Sequence, residues 1–221
     1  MEAVIKIGGS LASQPSNLQK LCSRLVALAG EHELLIVPGG GRFADLVRQF
    51  DRTQRLNPTA AHLMALLAMD QYGILLSSIA PSAQTVKDLK AARQLQEKGL
   101  LPILLPSEIA SRDKYLEHSW NVTSDSIAAR VAGLIHSRVL ILVKDVDGIF
   151  DFDPKRRSGA KIIEELRASE LRSLNPSCTD AFLWRVLSKH GLECYLVNGH
   201  YPRRIEALLR RAATIRTRIR P

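Results

Sequence analysis

Cysteine is scarce in this 221-residue chain, with only Cys22, Cys178 and Cys194. An odd number without metal-ligand spacing argues against a disulfide framework or a zinc cluster and suits free thiols in a reducing cytoplasm. Aromatic residues are also few, at 5% of the chain. They are not interleaved with the basic tail formed by Arg203, Arg204, Arg210, Arg211, Arg216, Arg218 and Arg220. The net charge of +9 therefore comes without a base-stacking surface, and no nucleic-acid-binding signature accompanies it. The basic excess reads as a solvated face, or one that attracts anionic metabolites. The longest apolar runs are strand-sized, so no transmembrane helix is expected. The start lacks the basic region and long apolar run of a signal peptide. Also absent are Gly-x-x-x-x-Gly-Lys-Ser/Thr, Gly-x-Gly-x-x-Gly, Gly-x-Ser-x-Gly and His-Glu-x-x-His, which removes the common nucleotide-loop and hydrolase signatures. A soluble, cytoplasmic protein is expected, without nucleic acid or membrane as partner.

The chain is organised around Ala3-Val4-Ile5-Lys6-Ile7-Gly8-Gly9-Ser10-Leu11. Val4, Ile5 and Ile7 predict a short buried strand that Gly8-Gly9 ends with a turn. Lys6 is a cation in an otherwise apolar strand, and burying it is costly unless an anion meets it. Glycines let backbone amides approach a phosphate closely, with the lysine supplying charge. Taken alone, the motif also reads as a tight turn beside a snorkelling lysine, since short glycine motifs recur by chance.

Further along, residues 33–37 predict a second buried strand, followed by Pro38-Gly39-Gly40-Gly41 and a helix from Arg42 to Phe50. Three consecutive glycines are entropically expensive and make sense where amides face an anion at a helix N-terminus. The spacing then predicts helices over 17–29, from Pro58 past Asp70, over 83–98, 121–135, 178–189 and 201–213. Strands are predicted over 73–77, 100–105, 138–143 and 193–197, with a final edge strand over 214–219. Thr123-Ser124-Asp125-Ser126 reads as a capping sequence for its helix. Residues 151–161 read as a loop or small hairpin. Strands alternating with helices predict an α/β fold with a mainly parallel sheet covered on both faces. Ligands bind such sheets at the carboxyl ends of strands, where both glycine loops and the Asp145 loop fall.

Four motifs stand in fixed order: Lys-x-Gly-Gly-Ser, Pro-Gly-Gly-Gly-Arg, Asn-Val-Thr-Ser-Asp-Ser, and Asp-Val-Asp-Gly-Ile-Phe-x-x-Asp-Pro. Together they resemble the amino acid kinase family, over essentially the whole chain. The resemblance implies a three-layer α/β/α sandwich forming a single domain over 1–221. Its N-terminal lobe, about 1–120, would hold a phosphoryl acceptor, and its C-terminal lobe, about 121–221, ATP with Mg2+. Lys6 would neutralise the moving phosphoryl group, with Gly8, Gly9 and Ser10 donating to its oxygens. Asp125 would orient the catalytic lysines, and Lys144, Asp145, Gly148, Phe150 and Asp153 would line the nucleotide. Gly39, Gly40, Gly41, Arg42, His62 and Asn121 would serve the acceptor, and no protein residue is expected to ligate metal. A homo-oligomer is implied in the same way. The chemistry agrees, because phosphoryl transfer needs mostly positioning and positive charge.

Two departures from the family pattern narrow the reading. Many relatives carry a second catalytic lysine late in the chain, where this one reads Pro176-Ser-Cys-Thr-Asp-Ala-Phe-Leu-Trp184. Lys144 and Arg185 are the candidates to supply the missing charge. Ala61 stands where bacterial uridylate kinases carry an Asp for the nucleoside, which disfavours uridylate. His62 matches the histidine with which isopentenyl phosphate kinases hold a substrate phosphate. With Arg42 and Arg48 following the second glycine loop, an acceptor that already bears a phosphate is expected. Residues 119–125, 176–178 and 194–202 resemble a small branch of the family, the aminomethylfuran-methyl phosphate kinases of methanofuran biosynthesis, which make a diphosphate from a phosphomonoester. Asp70 and Trp120 are candidates for a pocket around an aminated ring. The alternatives are a carboxylate kinase of the acetylglutamate type and a non-catalytic, anion-binding or storage member of the same fold.

Overall fold

The computed structural model describes residues 1–154 and 159–221. Its centre is strand β1 (Ala3–Ile7), hydrogen-bonded in parallel to β2 (Leu34–Pro38) on one side and to β5 (Val139–Lys144) on the other. Beyond β2 lie β4 (Leu101–Leu104) and β3 (Ala83–Val86). Beyond β5 come β7 (Cys194–Asn198), β8 (Thr217–Arg220) and β6 (Glu165–Arg167). The eight-stranded order is β3-β4-β2-β1-β5-β7-β8-β6, parallel except where β8 runs against β7. The chain leaves β1 for one side of the sheet and later returns to its other flank at β5. This puts the topological switch at the carboxyl ends of β1, β2 and β5.

Every residue of β1 and β2 is buried, as expected of parallel strands covered on both faces. Alternation divides them. Val4, Leu140 and Leu142 pack with α6 (Ser124–Leu134) and α8 (Leu183–His190), while Ile5, Ile7, Ile141 and Val143 pack with α1 (Pro15–Ala29) and α9 (Arg203–Leu209). Two helical layers enclose one sheet, the α/β/α sandwich that the resemblance implied. The same period-two rule fixes the site. Lys6 follows Val4 by two residues and Lys144 follows Leu142 by two, so both lysines face α6.

Several local expectations are corrected. The apolar run at 73–77 is not a strand but the second half of α3 (Pro58–Ile79), a 22-residue helix. Leu66, Met69, Tyr72 and Leu76 are buried at helical spacing, while Ile74 and Leu75 stay exposed. Gly73 lies where a Cβ would meet Leu105 at 2.8 Å and Pro38 at 3.2 Å, so it lets the helix pack closely on the sheet. By length and composition α3 could cross a membrane, yet 44% of its apolar window is buried inside the fold. The helix predicted over 83–98 divides into β3 and a shorter α4 (Leu89–Gln96), which Asp88 caps through Ala91 N–H at 2.8 Å. The late helix begins at Leu183 instead of 178. The last strand is no edge, because β6, which the sequence did not signal, flanks it. Of the loop read at 151–161, residues 155–158 lie outside the described residues. The remaining helices are α2 (Gly41–Gln54), α5 (Ser107–Ser111) and α7 (Ala168–Leu174).

Candidate functional site

At the switch point, three strand ends carry the chemistry. Lys6 Nζ lies 2.8 Å from Asp125 Oδ1, and Lys144 Nζ donates to Asp125 Oδ2 at 2.7 Å. Lys6 is 3% exposed and Asp125 2%, so one buried carboxylate spaces two ammonium groups. Burial would raise the Asp125 pKa, but Lys144 and then Lys6 outweigh it and hold it at about 2. Asp125 is therefore ionised throughout the neutral range and is no proton acceptor there. Burial brings Lys6 down to about 8, against the pull of Asp125 and with the push of Lys144. Burial acts against Lys144 too, but Asp125 keeps its pKa above the ordinary lysine value. Arg185, the other candidate for the missing charge, lies elsewhere: it pairs with Glu117 at 3.0 Å and lies over Phe182 and Trp184. Lys144 is the cation that joins Lys6.

Asp125 is held by a residue the sequence did not signal. Thr123 caps α6 only through its backbone position, without a side-chain bond. The cap is Asp180, whose Oδ2 accepts from Thr123 N, Thr123 Oγ1 and Ser126 N at 2.9 Å each; Oδ1 accepts from Leu183 N at 2.9 Å and from Ser126 Oγ. The segment that lacks the late lysine thus clamps the turn carrying Asp125. Burial, with Asp125 adding to it, raises the Asp180 pKa against these bonds. Asp180→Ala should destabilise the fold by at least about 3 kcal/mol in urea unfolding, since several buried donors lose their acceptor at once. A loss below about 1 kcal/mol would show that α6 does not depend on this clamp.

Both glycine loops open onto a cavity of about 440 Å³ above the two lysines. They touch: a Cβ on Gly9 would lie 2.1 Å from Gly41 N. Gly8 N–H is committed to Val143 O, and Gly39 N–H to Ile7 O, both at 2.8 Å, so these two glycines close the sheet rather than offer donors. Gly39 is also a close approach, since a Cβ there would meet Gly9 N at 2.8 Å. Gly9 and Ser10 line the cavity, as do Gly40 and Gly41, and the leading N–H groups of α2 lack intrahelical acceptors. Lys6, Lys144, Arg42 and Arg48 face it, against the carboxylates Asp45 and Asp145. His62 also lines it, with a buried Nε2 that has no hydrogen-bond partner among the described residues, and stacks on His118 at 4.5 Å. Burial, then His118, lowers the His62 pKa, so the ring is neutral at neutral pH.

The remaining predicted positions lie outside this lining. Gly148 is buried where a Cβ would meet Thr217 Oγ1 at 2.7 Å. Phe150 bridges to Ile162, and Asp153 follows on the same loop. Asn121 lines a separate cavity of about 240 Å³ with Arg185. Asp70 receives Ser107 N at 3.1 Å and Ser107 Oγ at the start of α5, and only Trp120 of that suggested pair lines the main cavity. Behind the Asp145 loop, Asp147 is braced by Asn198 at 3.0 Å and Arg204 at 2.5 Å.

Comparison with known proteins agrees with this architecture. Over 218 residues, 98% of this chain and 96% of the relative, the sequence is 33% identical to the [5-(aminomethyl)furan-3-yl]methyl phosphate kinase of Methanocaldococcus jannaschii. It is 28% identical to a uridylate kinase of Methanobrevibacter smithii, covering 90% of this chain and 91% of that one. In fold it resembles the uridylate kinase of Archaeoglobus fulgidus, with a TM-score of 0.79, 21% identity and coverage of 99% and 100% of the two chains. The isopentenyl phosphate kinase of T. acidophilum gives 0.69 at 20% identity, covering 100% of both. A sequence model of the amino acid kinase family matches residues 1–198. The chain belongs to the amino acid kinase family.

Proposed function

We propose that this protein phosphorylates a small phosphomonoester to a diphosphate, and that the acceptor is the aminomethylfuran-methyl phosphate for which the Methanocaldococcus jannaschii relative is named. Family membership makes the chain an ATP-dependent phosphotransferase. The observation that carries the reading is the Lys6–Asp125–Lys144 cluster beneath two touching glycine loops.

An oxygen of the acceptor phosphate attacks the γ-phosphorus of ATP. The new P–O bond forms as the bond to the β–γ bridging oxygen breaks, and ADP leaves with those electrons. A phosphomonoester has a second pKa near about 6, so at neutral pH the nucleophile is already ionised and needs no base. That suits a site whose buried carboxylate stays charged. Lys6 and Lys144 neutralise the moving phosphoryl oxygens, while Asp125 fixes both ammonium groups in place. Gly9, Ser10 and the start of α2 supply N–H donors, and Arg42, Arg48 and His62 Nε2 meet the acceptor phosphate. Mg2+ usually binds through substrate phosphates with one or two carboxylates, and Asp145 at the cavity is the group suited to face it. When bound, the ion would neutralise phosphate charge. The acceptor thus falls to the lobe of about 1–120 and the nucleotide to about 121–221.

The absence of the late lysine is the best support for a non-catalytic member, and Lys144 on Asp125 beside Lys6 speaks for the catalytic reading instead. Phe43, Leu46, Phe50, Leu63, Leu67 and Ile74 stay exposed on α2 and α3, an apolar face suited to a second copy in a cytoplasmic homo-oligomer.

The direct test is ATP turnover with magnesium against aminomethylfuran-methyl phosphate, isopentenyl phosphate, uridylate and acetylglutamate, scored by phosphorylated product. Turnover of the aminated furan phosphate upholds the reading, and turnover of acetylglutamate alone replaces it with the carboxylate kinase. The pH profile is a second check. Lys6 loses its proton near about 8, below the ordinary lysine value, so its charge is complete below that pH and lost above it. Accordingly kcat/KM should fall about tenfold per unit above pH 8, and kcat at higher pH, because a bound phosphate stabilises the ammonium. A kcat/KM flat to pH 10 would mean that Asp125 keeps Lys6 protonated against burial, and the role of Lys6 would then rest on the Lys6→Met rate alone.

A further inference from the structure

The main cavity has an annex. A chamber of about 220 Å³ lies beside it, and His62, Ala65, Trp120 and Val122 line both. The sign of charge reverses between them. Among the described residues, four cations face the main cavity against two carboxylates, whereas no lysine or arginine lines the annex and its one carboxylate is Asp51. Asp51 Oδ2 accepts from Trp120 Nε1 at 2.7 Å, and Oδ1 has no protein partner among the described residues. Leu56, Pro58 and Ala61 supply apolar wall. The stacked rings of His62 and His118, 15° from coplanar, mark the boundary, with His118 anchored to Thr59 Oγ1 at 3.1 Å. The volume lies below the roughly 300–1,000 Å³ of ordinary small-molecule pockets, so it suits one small ring and not a larger body.

We infer that this annex receives the body of the acceptor, a small flat group carrying a cation, and that Asp51 is the specificity-determining carboxylate. The inference rests on the proposed phosphomonoester kinase. A dipolar molecule seats itself across the charge reversal: its phosphate lies in the cationic cavity by Lys6 and His62, and its ammonium lies with Asp51. Trp120 offers a flat apolar surface at the passage and fixes the carboxylate through its N–H. Arg48, with its Cζ 4.7 Å from the Trp120 ring centre, keeps positive charge on the phosphate side of that passage. An ammonium attracted to a half-buried carboxylate also rejects neutral isosteres, since they leave the carboxylate unpaired.

The test is calorimetric binding of two probes, [5-(aminomethyl)furan-3-yl]methyl phosphate and its analogue with methyl in place of aminomethyl, to the wild type and to Asp51→Asn. Asparagine keeps an oxygen for Trp120 while removing the charge. The wild type should prefer the amine about 10–100-fold, as one charge-assisted hydrogen bond allows, and Asp51→Asn should bring that ratio close to about 1. No preference in the wild type overturns the inference, as does a preference that survives in Asp51→Asn. A preference that depends on Asp51 without phosphoryl transfer would uphold the chamber while refuting the kinase reading.

Discussion

Lys144→Met lowers kcat by about a thousandfold, and Lys6→Met does the same, while neither variant unfolds. Removing one preorganised group that meets developing charge costs roughly 10²–10³ in rate, and in the proposed reaction each lysine meets the phosphoryl oxygens in a largely buried site. The fold survives for an electrostatic reason. Asp125 contacts two cations, through Oδ1 and Oδ2 at 2.8 and 2.7 Å, so losing either one leaves an ionised carboxylate in a neutral ion pair. A cluster that goes from net positive to neutral loses desolvation cost as well as attraction, and methionine retains most of the volume. Asp125→Asn behaves in the opposite way. It leaves two buried ammonium groups without a counterion and should cost stability, on the order of 3–5 kcal/mol, as well as activity. Single-turnover rates and thermal unfolding measured on the three variants separate these effects. Turnover of Lys144→Met within about tenfold of wild type would mean that Lys144 only holds Asp125, and that the second charge comes from elsewhere.

Much of this site was legible because it is local. Lys6, the glycine loops and the Asp125 turn each follow directly from a strand or lead into a helix, and alternation from Val4 and Leu142 places both lysines on one face of the sheet. What was not legible is long-range. Nothing in the spacing separates Lys144 from Arg185, since the choice depends on which strand end faces α6. Asp180 reads as one acid in a turn-rich stretch, and only the fold brings it to Thr123 and Ser126. The same limit explains Asp70, which the fold turns to Ser107, and Asp51, which carried no sequence signal and meets Trp120 across 69 residues. The misread strand at 73–77 has a different cause. A five-residue apolar run has no period of its own, and Leu66, Met69 and Tyr72 before it set the helical frame. Gly8 was legible as a turn, but its amide partner Val143 belongs to a strand more than a hundred residues later.

Gly9→Ala should reduce kcat/KM for ATP by at least about a hundredfold, although it adds a single methyl group. A Cβ at Gly9 would lie 2.1 Å from Gly41 N and 2.2 Å from Gly41 Cα, and both atoms are backbone. Neither loop yields cheaply. Gly8 and Gly39 are bonded into the sheet, and Gly41 sits at φ +53, where a side-chain residue would itself be strained. Relief requires the loops to separate by more than an ångström, and misplacement of that size costs about 10²-fold in positioning. Two further glycines calibrate the result. A Cβ at Gly41 would reach Gly9 at 3.4 Å, an ordinary contact, so Gly41→Ala carries mainly the backbone strain, about 1–2 kcal/mol of stability. Gly30→Ala sits at φ −71 with its nearest atom at 3.6 Å and should be neutral or stabilising, because it only restricts the unfolded chain. Steady-state kinetics alongside thermal unfolding orders the three. If Gly9→Ala loses activity well beyond its loss of stability, the contact between loops is what positions the phosphoryl group. If activity and stability fall together, the loops are scaffold alone, and the cradle must be sought in the first turn of α2.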